Sequence, residues 1–334
     1  MRIRARRAGA AVLVFVVLLA VAAPWIAPHP PARQFPELAL APPMRPHVVD
    51  ADGRLRAPFI YPLRLVDRLE RRYEEDTSRP SPLRLGLRPL ITTDAGAVWL
   101  PLGSDALGRD VFSRLLFGAR ASLGVAAVAT ALALLIGLAI GGVAGFRGGA
   151  VDAVLMRLTD IVLVLPALYV VLMLRAALPL VLSPAAVFWT MALVFALAGW
   201  PSVARGVRAL VAVERRSEYA EAARALGARP LRILLVHLLP ATRAFLWVQA
   251  TLLLPAFILA EATLSYVGFG FPEPVPSWGV MLRDAARISV ISDATWLLAP
   301  ALAIVLSILS LQLLGLSRSV SSSPAATSDI AAVR

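Results

Sequence analysis

Residues 218–240 read EYAEAARALGARPLRILLVHLLP. The part from Ala220 to Leu226 is rich in alanine and contains no β-branched residue, so it predicts a short helix. Gly227 suits the end of that helix, because glycine readily takes the positive φ that a helix terminus needs. Pro230 suits the first turn of a following helix. The stretch therefore predicts a short helix, a tight turn and a second helix, although such a pair could equally be an ordinary surface hairpin.

Long apolar runs lie on both sides of this loop. The chain has 334 residues, of which 59% are hydrophobic and 16% charged, and its mean hydropathy is +0.76. A soluble domain is about 45–50% apolar and about 25% charged. Six runs approach the roughly 20 residues that a membrane-spanning helix needs. The predicted spans are residues 8–26, 121–146, 158–178, 185–203, 244–271 and 294–316.

The first run has features of a secretory signal peptide. Four Arg residues precede it, and small residues stand at Ala20, Ala22 and Ala23. However, the run is long for a signal peptide, and Pro24 directly follows the best cleavage position. We interpret it as an uncleaved membrane anchor.

The placement of arginine predicts the orientation of the spans. All 33 basic residues are Arg. With the N-terminus inside, sixteen Arg fall in cytoplasmic segments and three in the two short outer loops, as the positive-inside rule requires. The other fourteen lie in residues 27–120, a loop long enough to escape the rule. The sequence predicts six spans with both termini in the cytoplasm.

The composition also excludes several classes of function. The chain has no Cys, which excludes disulfide frameworks and thiolate chemistry, and no Lys, which excludes the phosphate-binding lysine of a P-loop ATPase. Its three His residues are too scattered for a local metal-binding pair. Membrane topology accounts for the net charge of +12 better than nucleic acid does. We expect no catalytic residue, metal site, cofactor or nucleic-acid partner.

Residues 27–103 form a long insertion between the first two spans. The segment is rich in Pro and alternating charge. Leu65, Leu69 and Arg72 or Tyr73 have helical spacing and predict a short amphipathic helix. The remainder predicts extended loop with little apolar material for a core. A solvated extracytoplasmic collar is therefore the expected structure, rather than a separate binding domain.

Residues 104–116 predict a helix on the outer membrane surface. Ser104 or Asp105 is a suitable N-cap, and Asp110 and Arg114 are spaced to form an i,i+4 ion pair on its polar side. An ordinary surface elbow is the alternative. The polar and glycine residues assigned to this interfacial helix are Asp105, Gly108, Arg109, Asp110 and Arg114.

Two acidic residues stand near the bilayer interior. Asp160 and Glu261 could form a proton relay, because carboxylates inside membranes are costly and often functional. The alternatives are a helix-packing hydrogen bond or, for Asp160, an ion pair with Arg157. A separate feature is Gly137, Gly141 and Gly145, which predict one helix face that another helix can approach closely, either as packing or as a moving seam.

The loop of residues 218–240 resembles the EAA loop of ABC importer permeases. Glu221-Ala222-Ala223, Gly227 and His237-Leu238-Leu239-Pro240 carry the resemblance, and a His at 237 is similar to the dipeptide/oligopeptide/nickel branch. Further segments agree with that branch: Leu102–Asp105, Gly108–Asp110, Ser113–Arg114, Gly118–Leu123, Asp152 with Leu155–Arg157 and Asp160, Leu259–Ala262 with Leu264–Ser265, and Pro276–Gly279. The insertion is longer than the outer loop usual in that family.

The resemblance implies a type I importer permease of all-α membrane fold in the bacterial inner membrane. It implies a second, usually non-identical permease subunit, two ABC ATPase subunits that hydrolyse ATP, an extracytoplasmic binding protein and surrounding lipid. The segments would be an anchor (1–26), the insertion (27–103), a core (104–318) containing the coupling loop at about 204–243, and a cytoplasmic tail (319–334). The residues assigned to ATPase coupling are Glu221, Ala222, Ala223, Arg224, Gly227, His237 and Pro240.

Two other functions compete with this interpretation. A proton-coupled secondary transporter would use Asp160 or Glu261, and a membrane scaffold would use the insertion to bind a partner. The EAA-like loop favours the importer over both, because neither alternative needs a coupling segment. The transported solute and the residues that line the path are not predicted.

Overall fold

The computed structural model describes residues 2–50, 53–67, 71–94, 96–164, 173, 182–286 and 294–315. Most of these residues are helical, as the sequence predicts. The α-helices are α1 (Arg2–Ile26), α2 (Val111–Arg147), α3 (Gly149–Val164), α4 (Pro184–Glu214), α5 (Glu218–Ala225), α6 (Pro230–Arg232), α7 (Arg243–Val267), α8 (Trp278–Ala285) and α9 (Ala299–Gly315). A π-helical segment covers Ile233–Leu238, and 3-10 turns cover Pro36–Leu38, Leu239–Thr242 and Thr295–Leu298.

Five helical segments in the described part of the chain are long and apolar enough to cross a membrane. They are Arg4–Ile26, Val111–Arg147, Pro184–Glu214, Pro230–Val267 and Thr295–Gly315. These five overlap the first, second, fourth, fifth and sixth predicted spans. The predicted third span, residues 158–178, lies mostly outside the described residues, which include α3 as far as Val164. The predicted tail, residues 319–334, also lies outside them.

Helix α2 is longer than a bilayer needs. Its 37 residues measure about 55 Å at the rise of an α-helix, against roughly 30 Å of hydrocarbon. Asp110 caps its first turn, and Gly148 ends it with φ +66°. The helix therefore extends beyond the apolar layer of a membrane.

The insertion contains strands, which the sequence interpretation missed. They are β1 (His47–Val49), β2 (Leu55–Ile60), β3 (Leu63–Asp67), β4 (Arg72–Glu75), β5 (Ser81–Leu85) and β6 (Ile91–Thr93). An antiparallel sheet has the order β1-β2-β5-β6, and β3 pairs with β4 as a separate hairpin. The short helix predicted around residues 65–73 is wrong, because β3 and β4 occupy its two ends.

The insertion also has an apolar core of its own. Ala41, Met44, Ile60 and Leu100 are buried together. The side chains that pack against them are Leu38, Leu63, Tyr73, Leu83, Val98 and Trp99. In β3 the burial alternates with a period of two, so Leu65, which suggested a helix, serves a strand. The expectation of a coreless extended loop is therefore wrong.

The chain divides into two compact units. The first unit comprises Met1–Leu13, Val125–Leu259 and Ser307–Arg334. The second comprises Val14–Gly124 and Ala260–Leu306, and so includes the insertion. The predicted division into anchor, insertion, core and tail stays a prediction.

Within the first unit, α2 and α4 pack with almost no space between their backbones. A Cβ at Gly137 would lie 2.5 Å from the Cβ of Val203, and one at Gly141 would lie 2.3 Å from the carbonyl oxygen of Ala204. Any side chain at these glycines would collide with α4. The close helix approach predicted from the glycine spacing is confirmed; a moving seam stays a prediction.

Candidate functional site

The loop between α4 and α7 folds as the sequence predicts. Helix α5 ends in a Schellman motif, in which the N–H of Gly227 donates to the carbonyl of Arg224 (2.9 Å) and the N–H of Ala228 to that of Ala223 (3.0 Å). Gly227 has φ +76°, in the region that favours glycine. Pro230 is the first residue of α6. The predicted helix, turn and second helix are thus confirmed.

Helix α5 has a buried side and an exposed side. Ala220 is fully buried, and Ala223 packs against the same apolar cluster, which includes Ile233 and Leu238. On the exposed side lie Glu221, Ala222, Arg224, Ala225 and Gly227, beside Leu226, whose side chain is 87% exposed. The helix therefore exposes small side chains, one large apolar side chain and two charged side chains, while its other side packs against the apolar cluster.

Polar contacts join α5 to the helices before it. The Tyr219 hydroxyl donates to Oε2 of Glu214 at 2.6 Å, and the Arg224 guanidinium donates to the carbonyl oxygen of Arg215. Arg215 in turn donates from Nη1 to the carbonyl oxygen of Phe146 at 2.8 Å. These bonds link α5 to the ends of α4 and α2. Displacement of α5 would therefore act directly on the end of α4 and, through Arg215, on the end of α2.

Beyond α6 the helix geometry changes twice. His237 lies, half-buried, in the π-helical segment, and Pro240 lies in the 3-10 turn that follows it. Segments of π-helix inside longer helices are rare and frequently occur at functional sites. The loop thus enters α7 through a region that is not regular α-helix.

Two ion pairs connect α3 with α4 in the first unit. Arg208 holds Asp152 through Nε and Nη2, and its hydrogen bonds lower the pKa of that carboxyl. Arg205 pairs with Asp160 at 2.7 Å, with both side chains 57% exposed. The partner of Asp160 is therefore Arg205, and not Arg157 as the sequence suggested.

In the second unit, the segment before α2 is a loop that is held by ion pairs and hydrogen bonds. Oδ1 of Asp105 accepts from the main-chain N–H of Arg109 at 2.9 Å, and Oδ2 accepts from its Nε at 2.6 Å. Arg109 also donates from Nη1 to Glu273 (2.6 Å) and from Nη2 to Asp284 (3.2 Å). Because α2 begins only at Val111, the predicted interfacial helix starting at Ser104 or Asp105 is wrong.

The predicted pair of Asp110 with Arg114 is also wrong. The carboxylate of Asp110 accepts from the main-chain N–H groups of Phe112 and Ser113, each at 3.1 Å. Arg114 is 1% exposed, and its Nε lies 3.5 Å from Oδ2 of Asp105. Burial raises the pKa of Asp110 to about 6, although its hydrogen bonds with Ser113 act in the opposite direction. Asp110 therefore serves as the N-cap of α2.

Gly108 has a packing role in this loop. Its φ is +72°, and a Cβ there would lie 2.0 Å from the carbonyl oxygen of Phe35. The N–H of Phe35 donates to the Gly108 carbonyl at 3.1 Å. Only glycine fits between these main-chain atoms.

Glu261 lies among serine hydroxyls in the second unit. Its side chain is fully buried, and Oε1 accepts from the Ser265 hydroxyl at 2.6 Å. The hydroxyls of Ser122 and Ser277 lie near the same carboxyl, but its Oε2 has no hydrogen-bond partner among the described residues. Ser277 also caps α8, and Ser122 accepts from the main-chain N–H of Trp278. The bond from Ser265 fits the packing interpretation of Glu261, and the proton relay stays a prediction.

Sequence reasoning missed the acidic partners of Arg109. Glu273 and Asp284 are 164 and 175 residues away from it along the chain. No periodicity connects positions so far apart, so no sequence pattern could have identified the pairs. Among the described residues, no group of three His, Asp or Glu side chains is arranged to hold a metal ion.

Comparison with protein families gives two matches. A family model described as a binding-protein-dependent transport system inner membrane component matches residues 133–317. A second, described as the N-terminal TM domain of oligopeptide transport permease C, matches residues 3–43. The first match includes the whole of α5 and the turn that follows it.

Curated relatives include three bacterial peptide permeases. The dipeptide transport system permease protein of Bacillus subtilis is 39% identical over 214 residues, covering 64% of this chain and 65% of that protein. The oligopeptide transport system permease protein of the same species is 40% identical over 182 residues, covering 54% and 58%. The di/tripeptide transport system permease protein of Pseudomonas aeruginosa is 32% identical over 304 residues, covering 91% and 82%.

The matched part of the chain thus spans less than two thirds of each Bacillus subtilis relative. Among solved structures, an inward-facing methionine ABC transporter is similar at 20% identity and a TM-score of 0.48. That similarity covers 60% of this chain and 92% of the other.

Proposed function

Because the chain belongs to the family of binding-protein-dependent transport system inner membrane components, we propose that it is the permease subunit of an ATP-driven importer. Its relatives named above are permeases of dipeptide, oligopeptide and di/tripeptide transport systems, which supports peptides as the transported class. The chain would supply half of the translocation path. ATP hydrolysis would take place on separate subunits.

The single observation that carries this proposal is the geometry of α5. The helix lies between two long apolar helices, is packed on one side and exposes Ala222, Ala225 and Leu226 on the other. Small side chains allow a partner surface to approach closely, and an exposed Leu supplies apolar contact. The bonds from Tyr219 and Arg224 to the preceding helices would transmit movement of that partner. We assign α5 and the turn at Gly227 as the ATPase-coupling element.

The proposal implies a set of partners and a location. The chain would pair with a second permease subunit, bind ATPase subunits at its cytoplasmic loop and receive solute from an extracytoplasmic binding protein. It would lie in the bacterial inner membrane with both termini in the cytoplasm, as the arginine distribution indicates. On this topology the insertion faces outward, where a binding protein could contact it.

Proton-coupled transport is less well supported. Asp160 is exposed and ion-paired with Arg205, so it is not an isolated carboxyl in an apolar environment. The Glu261 carboxyl accepts from Ser265 in a fully buried position. Neither of these two contacts requires proton transfer.

A pair of substitutions at Gly227 tests the coupling role. Apart from its two chain neighbours, no described residue has an atom within 4 Å of the position that a Cβ at Gly227 would occupy, so a Cβ there meets no obstacle in the described part of the chain. Gly227→Val places a β-branched residue at φ +76°, which costs roughly 1 kcal/mol or more. Gly227→Asn is the matched control, because Asn tolerates this backbone conformation.

The measurements are uptake of a radiolabelled dipeptide by cells and the amount of ATPase subunit that co-purifies. Gly227→Val should remain in the membrane, and its uptake should fall at least about tenfold. A tenfold loss corresponds to a free-energy change of about 1.4 kcal/mol. Gly227→Asn should stay near the parent, and Glu221→Arg should behave like Gly227→Val. Normal uptake and ATPase recovery in Gly227→Val, with transport lost only in Asp160→Asn, would overturn the assignment.

A further inference from the structure

The turn between β5 and β6 carries exposed apolar side chains. The N–H of Gly86 donates to the carbonyl of Leu90 at 2.9 Å, which closes the turn at residues 86–90. Leu85 and Leu87 are 91% and 94% exposed, and Leu90 is 45% exposed. Single exposed leucines are ordinary on protein surfaces, but three within six residues form a patch. We name Leu85, Leu87 and Leu90 the apolar tip.

The apolar tip is bonded to the end of the first span. The N–H of Leu90 donates to the carbonyl oxygen of Trp25 at 2.6 Å, and the guanidinium carbon of Arg88 lies 5.7 Å from the centre of the Trp25 ring. Trp25 is the penultimate residue of α1. The apolar part of this helix, residues 8–26, is about 28 Å long, close to the hydrocarbon thickness of a bilayer. Trp25 therefore stands at the level of the membrane–water interface, where tryptophan is enriched.

Trp25 also belongs to an exposed apolar stripe of α1. Val14, Leu18, Val21 and Trp25 follow the spacing of one helix face, and their side chains are 56%, 60%, 61% and 46% exposed. A stripe of this kind on a membrane-spanning helix suits contact with lipid. The apolar tip is bonded to Trp25, the last residue of this stripe, so the tip lies at the end of the stripe.

We propose that the apolar tip inserts into the lipid bilayer beside α1, on the side of the membrane away from the N-terminus. The leucines would enter the boundary between headgroups and acyl chains. Arg88 would keep its guanidinium at the level of the lipid phosphates, as long basic side chains do at interfaces. The insertion would then be fixed to the membrane surface at this turn. The proposal concerns lipid contact alone and does not depend on which solute is carried.

The topology of the sheet indicates which end of it would face the membrane. Because β2 and β5 are antiparallel, with Phe59 opposite Pro82, the β1–β2 turn and the β5–β6 turn leave the sheet at the same end. Leu55, at the start of β2, is 82% exposed and lies at that end. Thr77 precedes β5 at the opposite end and is also exposed. We therefore expect Leu87 to lie deeper in the membrane interface than Thr77.

Site-directed spin labelling tests the proposal, because the parent chain has no Cys. Single-Cys variants Leu87→Cys and Thr77→Cys would be labelled in the assembled transporter, in nanodiscs of phosphatidylethanolamine and phosphatidylglycerol. Leu87 is almost fully exposed, so the label should not disturb the fold. Power saturation with oxygen, which concentrates in lipid, and with a water-soluble nickel chelate then reports the surroundings of each label.

The Leu87 label should be at least about twofold more accessible to oxygen than to the chelate, and the Thr77 label should show the reverse. Headgroup-proximal doxyl lipids should quench a fluorophore at Leu87 more strongly than one at Thr77. Chelate accessibility at Leu87 equal to that at Thr77 would show that the tip lies in water. Protection of Leu87 from both reagents would show that another protein covers it. Either outcome overturns the proposal.

Discussion

The guanidinium of Arg208 on α4 holds the carboxylate of Asp152 on α3 through two nitrogen atoms, with Nε 2.9 Å from Oδ1 and 3.1 Å from Oδ2. The Asp152 side chain is 14% exposed and that of Arg208 is 39% exposed. A paired guanidinium and carboxylate is stronger than a single contact, because its geometry is set by two donors. This pair therefore braces two helices of the first unit, close to the loop assigned to coupling.

Asp152→Asn should weaken that brace. We expect the free energy of unfolding to fall by about 1 kcal/mol. This is less than for a fully buried ion pair, because water partly screens Arg208. Asp160→Asn is the matched control on the same two helices, since its pair with Arg205 is more exposed. Thermal unfolding in detergent at low and high salt measures both. The Asp160 effect should be smaller and disappear at high salt; equal losses at high salt would contradict the ranking.

Gly108→Ala should damage the second unit severely. The new Cβ would stand 2.0 Å from the Phe35 carbonyl oxygen, in addition to the strain of φ +72°. Gly53→Ala has the same backbone strain at φ +78°, but its Cβ would meet no atom of the described residues within 4 Å, so the free energy of unfolding should fall by only about 1 kcal/mol. Yield of folded protein and melting temperature compare the two. Similar behaviour of both variants would show that the Phe35 contact is unimportant.

Asp110→Asn should change the pH dependence of stability. Burial holds the pKa of Asp110 at about 6, above its usual value, so the folded state binds a proton more readily than the unfolded state. Stability from this group is therefore present below about pH 4 and is lost as the pH rises to about 6, by up to roughly 3 kcal/mol. The Asn variant keeps a capping side chain without the charge.

Melting temperatures of parent and Asp110→Asn at pH 4, 5, 6 and 7 check this prediction. The parent should lose stability relative to the variant across that interval. Parallel curves would show that Asp110 does not titrate there.

Cysteine labelling tests the orientation of the chain. Ser78→Cys, in the exposed turn before β5, should react with an impermeant maleimide in intact cells, and Ser217→Cys should not. Ser217 is half-buried, so both variants must label after permeabilisation for the comparison to count. If only Ser217→Cys is labelled in intact cells, the chain has the opposite orientation to the one proposed.

Features held together by nearby residues were predictable. The end of α5 depends on hydrogen bonds between residues at most five positions apart, and on a glycine that takes positive φ. The apolar runs predicted the long helices in the same way, because length and composition alone decide whether a segment suits a bilayer. Local preference gave a wrong prediction in the insertion. Leucines four apart suggested a helix, but residues 63–67 and 72–75 pair as the strands β3 and β4.

The sequence by itself determined the membrane character of this protein, its long helices and the helix–turn–helix of the coupling loop, because each depends on local composition or on bonds within a few residues. Only the tertiary structure decided that Arg109 pairs with Glu273 and Asp284, that the insertion builds its own sheet and core, and that the turn at residues 86–90 meets Trp25. Those contacts join residues far apart in the chain, and a charged or apolar side chain has many acceptable partners. Which partner it takes is decided by the packing that brings the two together, and no spacing in the sequence records that choice.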